Sequence, residues 1–271
     1  MVGTFINNFS FLWNITRNNI NDFGYLYYGC KIKKIFRWTN RRYIRSNCFF
    51  NRTSFFSRKY YCYGDYKLIK PTKLFLIRHA PVKQINGHFP RHNPNAIIRK
   101  SQIKKLATSI PSDCVWYVSP LKRTVQTAKA LSKYTNCSKM ILENKLVEQN
   151  FGDWSGKKIS KVWEILKNNK KKHNFSFISP EISPPNGESF EEQYKRVVIW
   201  LENLNFSKGE NIVIVSHAGA IRSVISYALK IKLDYAIGIE ILHERLNILE
   251  MISSDDNKYK GGRFRLIALN K

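Results

Sequence analysis

The sequence predicts an α/β fold, a three-layer sandwich in which helices cover both faces of a mostly parallel central sheet. Three observations predict it. Segments 73–77 (KLFLI) and 211–215 (NIVIV) are unbroken apolar runs, as expected of strands covered on both sides. From Pro71 onward, strand-like and helix-like stretches alternate, the pattern of strand–helix units around a parallel sheet. Both apolar runs are followed, one residue on, by a histidine and then a small residue, where a strand would give way to a loop.

The elements follow in order. After the strand 73–77, a helix is expected over 101–109, ended by Pro111. A strand fits 114–118, and Pro120 suits the first turn of a helix reaching 134, with Ala, Leu and Val on one face. A short strand is expected at 139–142 and helices at 159–169 and 189–204, the last after a loop with three prolines. The strand 211–215 leads into a helix over 219–229, and further strands are expected at 237–243, 246–252 and 264–269.

Composition divides the chain near Lys70. Residues 1–70 hold 19 of the 37 aromatic residues but only 2 of the 19 acids, with no sustained helical or strand period. Basic residues interleaved with aromatics could grip single-stranded nucleic acid. An acid-poor basic stretch could also be a transit segment. The favoured expectation is that 1–70 is not a folded domain and that the native protein begins near residues 67–71, leaving 71–271 as the domain that carries function.

The formal charge is +27, from 46 Lys and Arg against 19 Asp and Glu. Such a field draws anions of any kind, whether phosphorylated metabolites, nucleic acid or a membrane surface. Lys, Asn and Ile are abundant throughout, as AT-rich codons would make them, so charge alone names no ligand. The five cysteines are odd in number and show neither a CxxC pair nor zinc-like spacing. They read as thiols of a reducing compartment, which points to the cytoplasm. No apolar run approaches the roughly 18 residues needed to cross a bilayer.

Four constellations carry chemistry. In Leu76-Ile77-Arg78-His79-Ala80-Pro81, an Arg-His pair sits at a strand end, where open α/β sheets bind ligands. An imidazole can attack phosphorus, and a guanidinium offers a fork of donors to phosphoryl oxygens. Val215-Ser216-His217-Ala218-Gly219 repeats the arrangement, with small residues opening a helix onto which an anion can dock. In Ser119-Pro120-Leu121-Lys122-Arg123, the arginine lies about one turn into a helix. In Glu148-Gln149-Asn150-Phe151-Gly152-Asp153-Trp154, Glu148 is the candidate proton donor and Asp153 the carboxylate better suited to capping a turn.

Taken in this order, the four motifs resemble the histidine phosphatase superfamily, the phosphoglycerate-mutase-like family, over about residues 73–269. The resemblance implies that His79 is phosphorylated and that Arg78, Arg123 and His217 bind the phosphoryl group, with Ser216 beside them. Glu148 would protonate the leaving group. It also implies catalysis without metal or cofactor, on a small phosphorylated metabolite, with no obligatory nucleic acid. A homodimer is compatible with it. The segment Pro185-Asn186-Gly187-Glu188-Ser189 matches the family's P-x-G-E-S, expected near the substrate.

The chain departs from the family pattern R-H-G-E-[ST]. Ala80, Pro81 and Val82 follow His79, so the acid and the hydroxyl are absent. Residues 86–95 form a His-rich loop with His88 and His92, in which Asn86 is a candidate phosphate contact. Ser155 stands where the W-E-G form has Glu. Glu148–Trp154, Trp163-Glu164-Ile165 and the R-H-A-P-V variant are most similar to the alpha-ribazole phosphatase branch, which would make alpha-ribazole 5′-phosphate the substrate. The R-H-G-E-S-x-W-N run of true phosphoglycerate mutases is missing, which favours hydrolysis over mutase action. A phosphoglycerate mutase or broad-specificity sugar phosphatase, and, in another class, a basic nucleic-acid-binding protein on a phosphatase-like scaffold, are the alternatives.

Overall fold

The computed structural model describes residues 61–63, 67–69, 71–167, 173–176, 178–204, 209–252 and 262–271. They belong to one unit, Phe56–Lys271, and the expectations for residues 1–60 lie outside them. Strands β1 (Tyr61–Tyr63) and β2 (Lys67–Ile69) pair antiparallel, so strand structure begins before the compositional boundary at Lys70.

The central sheet has six strands. They are β3 (Thr72–Arg78), β4 (Cys114–Val118), β5 (Cys137–Leu142), β6 (Asn211–Ser216), β7 (Leu246–Met251) and β8 (Phe264–Ala268), in the order β5-β4-β6-β3-β7-β8. The pairs β5-β4, β4-β6 and β6-β3 are parallel, while β3-β7 and β7-β8 are antiparallel. The sheet is therefore mixed, parallel at its centre and antiparallel at one edge. Helices connect the strands: α1 (Lys100–Ala107), α2 (Lys122–Leu131), α3 (Ile159–Leu166), α4 (Phe190–Glu202), α5 (Ala218–Leu229) and the short α6 (Leu233–Ala236).

Strand periodicity explains the layers. On β3, Leu74 and Leu76 pack with Val197, Leu201, Ile221 and Ile225 of α4 and α5, on one face. Phe75 and Ile77 point the other way, onto Ile103, Leu106, Ala128 and Leu131 of α1 and α2. Both faces of the centre are dry, which is why β3 and β6 read as continuous apolar runs. Burying one such side chain is worth about 1.5–3 kcal/mol, so these layers hold the strand ends rigidly. Helix α4 opens with a capping box, in which Ser189 Oγ accepts from the Glu192 amide and the Glu192 carboxylate accepts from the Ser189 amide.

One expected strand is not a strand. Residues 237–243 form turns and irregular backbone. The carbonyl oxygen of Ile239 accepts from Arg222 Nε at 2.7 Å, and that of Ile241 accepts from Arg78 Nη1 at 2.6 Å. Two guanidinium groups thus satisfy the backbone that a neighbouring strand would otherwise have paired.

Candidate active site

The parallel strands β3, β4 and β6 are in register, with Arg78 opposite Ser216 and Val118 opposite Val215. Their carboxyl ends therefore deliver His79, Ser119 and His217 to one place. The His79 amide donates to Ser216 O at 3.0 Å, and the Ser119 amide donates to Val215 O at 3.1 Å, each extending the ladder by one residue.

His79 is buried, 4% exposed, and its ring centroid lies 5.0 Å from that of His217, edge-on. His79 Nδ1 sits 2.7 Å from Ala80 O. A carbonyl oxygen can only accept, so Nδ1 carries the proton and Nε2 carries the lone pair. Arg123 Nε donates to that lone pair at 3.1 Å. Burial first, then the neighbouring His217, pushes the His79 imidazole down to about 2. Its Nε2 is thus an unprotonated nitrogen whose lone pair accepts from a guanidinium.

His217 is fully buried, with Nε2 2.8 Å from Ser119 Oγ. Its Nδ1 is buried and has no partner among the described residues. Burial, then Arg123 and Arg78, holds this imidazole well below the usual histidine range. Arg78 is in a similar condition. Nη1 is bound to Ile241 O, while buried Nε has no partner among the described residues. Arg123 enters from the first turn of α2 and also donates from Nη1 to His92 O at 3.1 Å. Unpartnered buried polar nitrogens are costly, and where they carry a proton an anion can complete them.

Glu148 faces this cluster. Its Oε1 accepts from Gln193 Nε2 at 3.1 Å, Gly219 N at 3.2 Å and Gln149 N at 3.1 Å. Oε2 receives a 3.5 Å contact from Gly219 N. The carboxylate acts electrostatically on Arg78, Arg123, Arg222 and His243. Arg196 braces the loop behind it, gripping both Glu188 oxygens at 2.7 and 3.0 Å and Val147 O at 2.7 Å. Glu188 O in turn accepts from Gln149 Nε2 at 2.9 Å. The P-x-G-E-S segment therefore supports Glu148 from behind.

A small cleft, open to solvent, adjoins Arg123 and Glu148 and is lined also by Pro90, Arg91, His92, Leu121, Gln149, Phe151 and Ser155. Its two walls are joined where the Phe89 amide donates to Lys157 O at 2.9 Å and Ser155 Oγ donates to Pro90 O at 3.2 Å.

Of the residues expected here, Arg78, His79, Arg123, Glu148 and His217 converge. Ser216 does not join them. It is fully buried and its hydroxyl donates to Leu146 O at 2.7 Å, because the side chain next to His217 on an extended strand points to the opposite face. Asn86 is exposed on a turn with Gly87, its backbone carbonyl accepts from His88 Nδ1 at 3.1 Å, and no hydrogen bond among the described residues ties it to the histidine–arginine cluster. His92 reaches the cavity wall, whereas His88 forms an isolated bridge with Lys158. The sequence did not single out four further residues: Ser119, Gln193, Arg222 and His243. The first three lie inside recognised motifs or helices, and only their contacts reveal them.

The sequence profile of the histidine phosphatase superfamily, branch 1, matches residues 74–262. Phosphoserine phosphatase 1 of Hydrogenobacter thermophilus is 30% identical over 176 residues, covering 60% of this chain and 78% of that protein. Among solved structures, a mycobacterial glucosyl-3-phosphoglycerate phosphatase aligns with a TM-score of 0.60 at 17% identity, covering 74% of this chain and 99% of that one. The alpha-ribazole phosphatase of Shigella flexneri aligns with a TM-score of 0.57 at 21% identity, covering 73% and 96%. The motifs, the mixed sheet and the match across most of the compact unit agree, and the chain is an enzyme of the histidine phosphatase superfamily.

Proposed function

We propose that the enzyme is a phosphomonoesterase that works through a phosphohistidine at His79 on a small phosphorylated metabolite. One observation carries this reading: His79 presents a deprotonated Nε2 within a ring of buried donors, of which His217 Nδ1 and Arg78 Nε are unpartnered among the described residues.

The chemistry follows from the atoms. Arg78, Arg123 and His217 hold the phosphoryl oxygens, and fixed positive charge is the main help a protein can give to phosphoryl transfer. As Arg123 Nε exchanges its bond to His79 Nε2 for a phosphoryl oxygen, His79 Nε2 attacks phosphorus, the ester P–O bond breaks, and Glu148 gives its proton to the departing alcohol. Water then attacks phosphohistidine while Glu148 takes a proton from it. The P–N bond breaks, phosphate leaves and neutral His79 is restored. Oε2 is the atom of Glu148 suited to this traffic, since the strong donors converge on Oε1.

The leaving group faces the cavity beside Arg123 and Glu148. The Glu148–Trp154 motif favours alpha-ribazole 5′-phosphate, whose aromatic base suits Phe151 and Leu121 on the lining. Phosphoserine is the second reading, favoured by the relative named for it and by Arg91, which can meet a carboxylate. Steady-state assays on alpha-ribazole 5′-phosphate, phosphoserine, phosphoglycerates and sugar phosphates decide between them, with inorganic phosphate as the product. The expected preference is alpha-ribazole 5′-phosphate, with His79→Ala lowering turnover by roughly 10³-fold or more and EDTA leaving it unchanged. Preference for phosphoserine would move the assignment to the second reading. Full activity in His79→Ala would end both.

A further inference from the structure

The residue that follows the nucleophile on the backbone is held in an unusual way. Strand β3 ends at Arg78, so the peptide joining His79 to Ala80 lies outside the sheet ladder. Its N–H donates to Thr127 Oγ1 on α2 at 2.9 Å. Its C=O, that of His79, accepts from His243 Nδ1 at 2.9 Å. Side chains from two distant segments therefore hold both ends of one peptide group. The His243 ring also packs edge-on against the His79 ring, with centroids 5.0 Å apart and planes at 60°. His217 stands at the same 5.0 Å and 62°, so the nucleophile is flanked by two imidazoles.

His243 is itself placed firmly. The next residue, Glu244, has a left-handed backbone with φ of 53°, and its amide donates to Arg78 O at 3.1 Å. Two residues earlier, Ile241 O accepts from Arg78 Nη1. The turn thus grips the Arg78–His79 backbone at successive carbonyls while Arg78 grips the turn in return. Because His79 O can only accept, His243 carries its proton on Nδ1.

We infer that His243 is a positioning residue of the phosphoryl transfer, fixing through the His79 carbonyl and ring face the direction in which His79 Nε2 points. The inference rests on His79 being the nucleophile. In-line attack tolerates little error, and a displacement near 1 Å can cost about 100-fold in rate. The contact acts on the rate of attack rather than on binding, because His243 is not among the groups assigned to the phosphate.

The test compares His243→Phe, which keeps a ring and loses the donor, with His243→Asn, which keeps a short donor. In the full chain acting on p-nitrophenyl phosphate, His243→Phe should lower kcat by roughly 10- to 100-fold with KM little changed, and His243→Asn should restore most of it. Imidazole N–H resonances of histidine-labelled protein give a readout independent of turnover. The His79 Nδ1 proton, protected by Ala80 O in the wild type, should exchange faster in His243→Phe and be absent in His79→Ala. A His79 signal and a kcat that His243→Phe leaves unchanged would overturn the inference while leaving the nucleophile intact. Equal loss in both variants, matched by a lower melting midpoint, would also overturn it, by showing a purely structural role. Loss of the phosphohistidine reading would appear separately, as full activity in His79→Ala.

Discussion

At the scale of single residues, the site is a problem of where protons sit. In the proposed mechanism His79 must keep Nε2 unprotonated, and it does so because Ala80 O holds the proton on Nδ1 while burial holds the ring neutral. In this reading His217 carries its proton on the same ring atom but turns the protonated side, Nδ1, toward the anion. If Ser119 donates its hydroxyl proton to Nε2, the neutral ring carries its own proton on Nδ1, ready for an anion. Ser119→Ala removes that arbiter of the tautomer. The expected outcome is a rise in KM for p-nitrophenyl phosphate, or weaker inhibition by inorganic phosphate, of roughly 10-fold, the worth of one hydrogen bond of about 1–1.5 kcal/mol. Unchanged values for both would mean that Ser119 does not set the state of His217. The hydroxyl was written in the sequence, but its partner stands 98 positions away and only the parallel register of β4 and β6 joins them.

At the scale of elements, the three parallel strand ends and the first turns of α2 and α5 do the assembling. This part was legible in the sequence, because dry strands read as unbroken apolar runs and a histidine after such a run must lie at the carboxyl edge. The turn 237–243 was not legible. Ile237, Ile239 and Ile241 alternate with other residues just as a half-buried strand would. Ile241 is indeed buried, at 1% exposure. Yet Arg78 and Arg222 satisfy the turn's carbonyls, and no local period can announce a partner more than 160 residues away, as Arg78 is from Ile241. His243 was hidden for that reason. Ser216 departs from its expected place for a simpler reason, since adjacent residues on a strand face opposite ways. The opening of α5 carries a prediction of its own. A Cβ on Gly219 would collide with the side-chain oxygens of Gln193 and Glu148. Gly219→Ala should therefore displace Glu148 and slow alkyl phosphates by roughly 10- to 100-fold, while p-nitrophenyl phosphate, whose leaving group needs no proton, suffers less. Equal loss on both substrate types would contradict the proton-donor role of Glu148.

At the scale of the whole molecule, the buried histidines tie folding to pH. His79 is held down to about 2 and His217 well below its usual range, in both cases chiefly by burial. In the unfolded chain a histidine titrates near 6.5. Above about pH 6.5 both states are neutral and these residues contribute no slope. As the pH falls below that value, the unfolded chain takes up protons that the folded chain refuses, so stability declines toward the folded value of His79. The melting midpoint of the free protein should drop between about pH 7 and pH 5, and replacing His79 by Ala should flatten that slope. An equal slope with and without His79 would contradict the neutral state assigned to it. The same burial lets phosphate act as the missing counter-charge. Beyond the histidines, the chain carries a formal charge of +27, a field that draws anions of any kind and weakens with added salt. Among the described residues no helix is long and apolar enough to cross a membrane.

Everything converges on whether a phosphoryl group passes through His79. Rapid acid-free quenching of the enzyme during turnover, followed by peptide mass mapping, reads this directly. A base-stable, acid-labile phosphate on the peptide that contains His79, appearing before free phosphate and missing in His79→Ala, is the expected result. Steady turnover with phosphate found on a different residue, or with no phosphorylated enzyme at any time point, would contradict it.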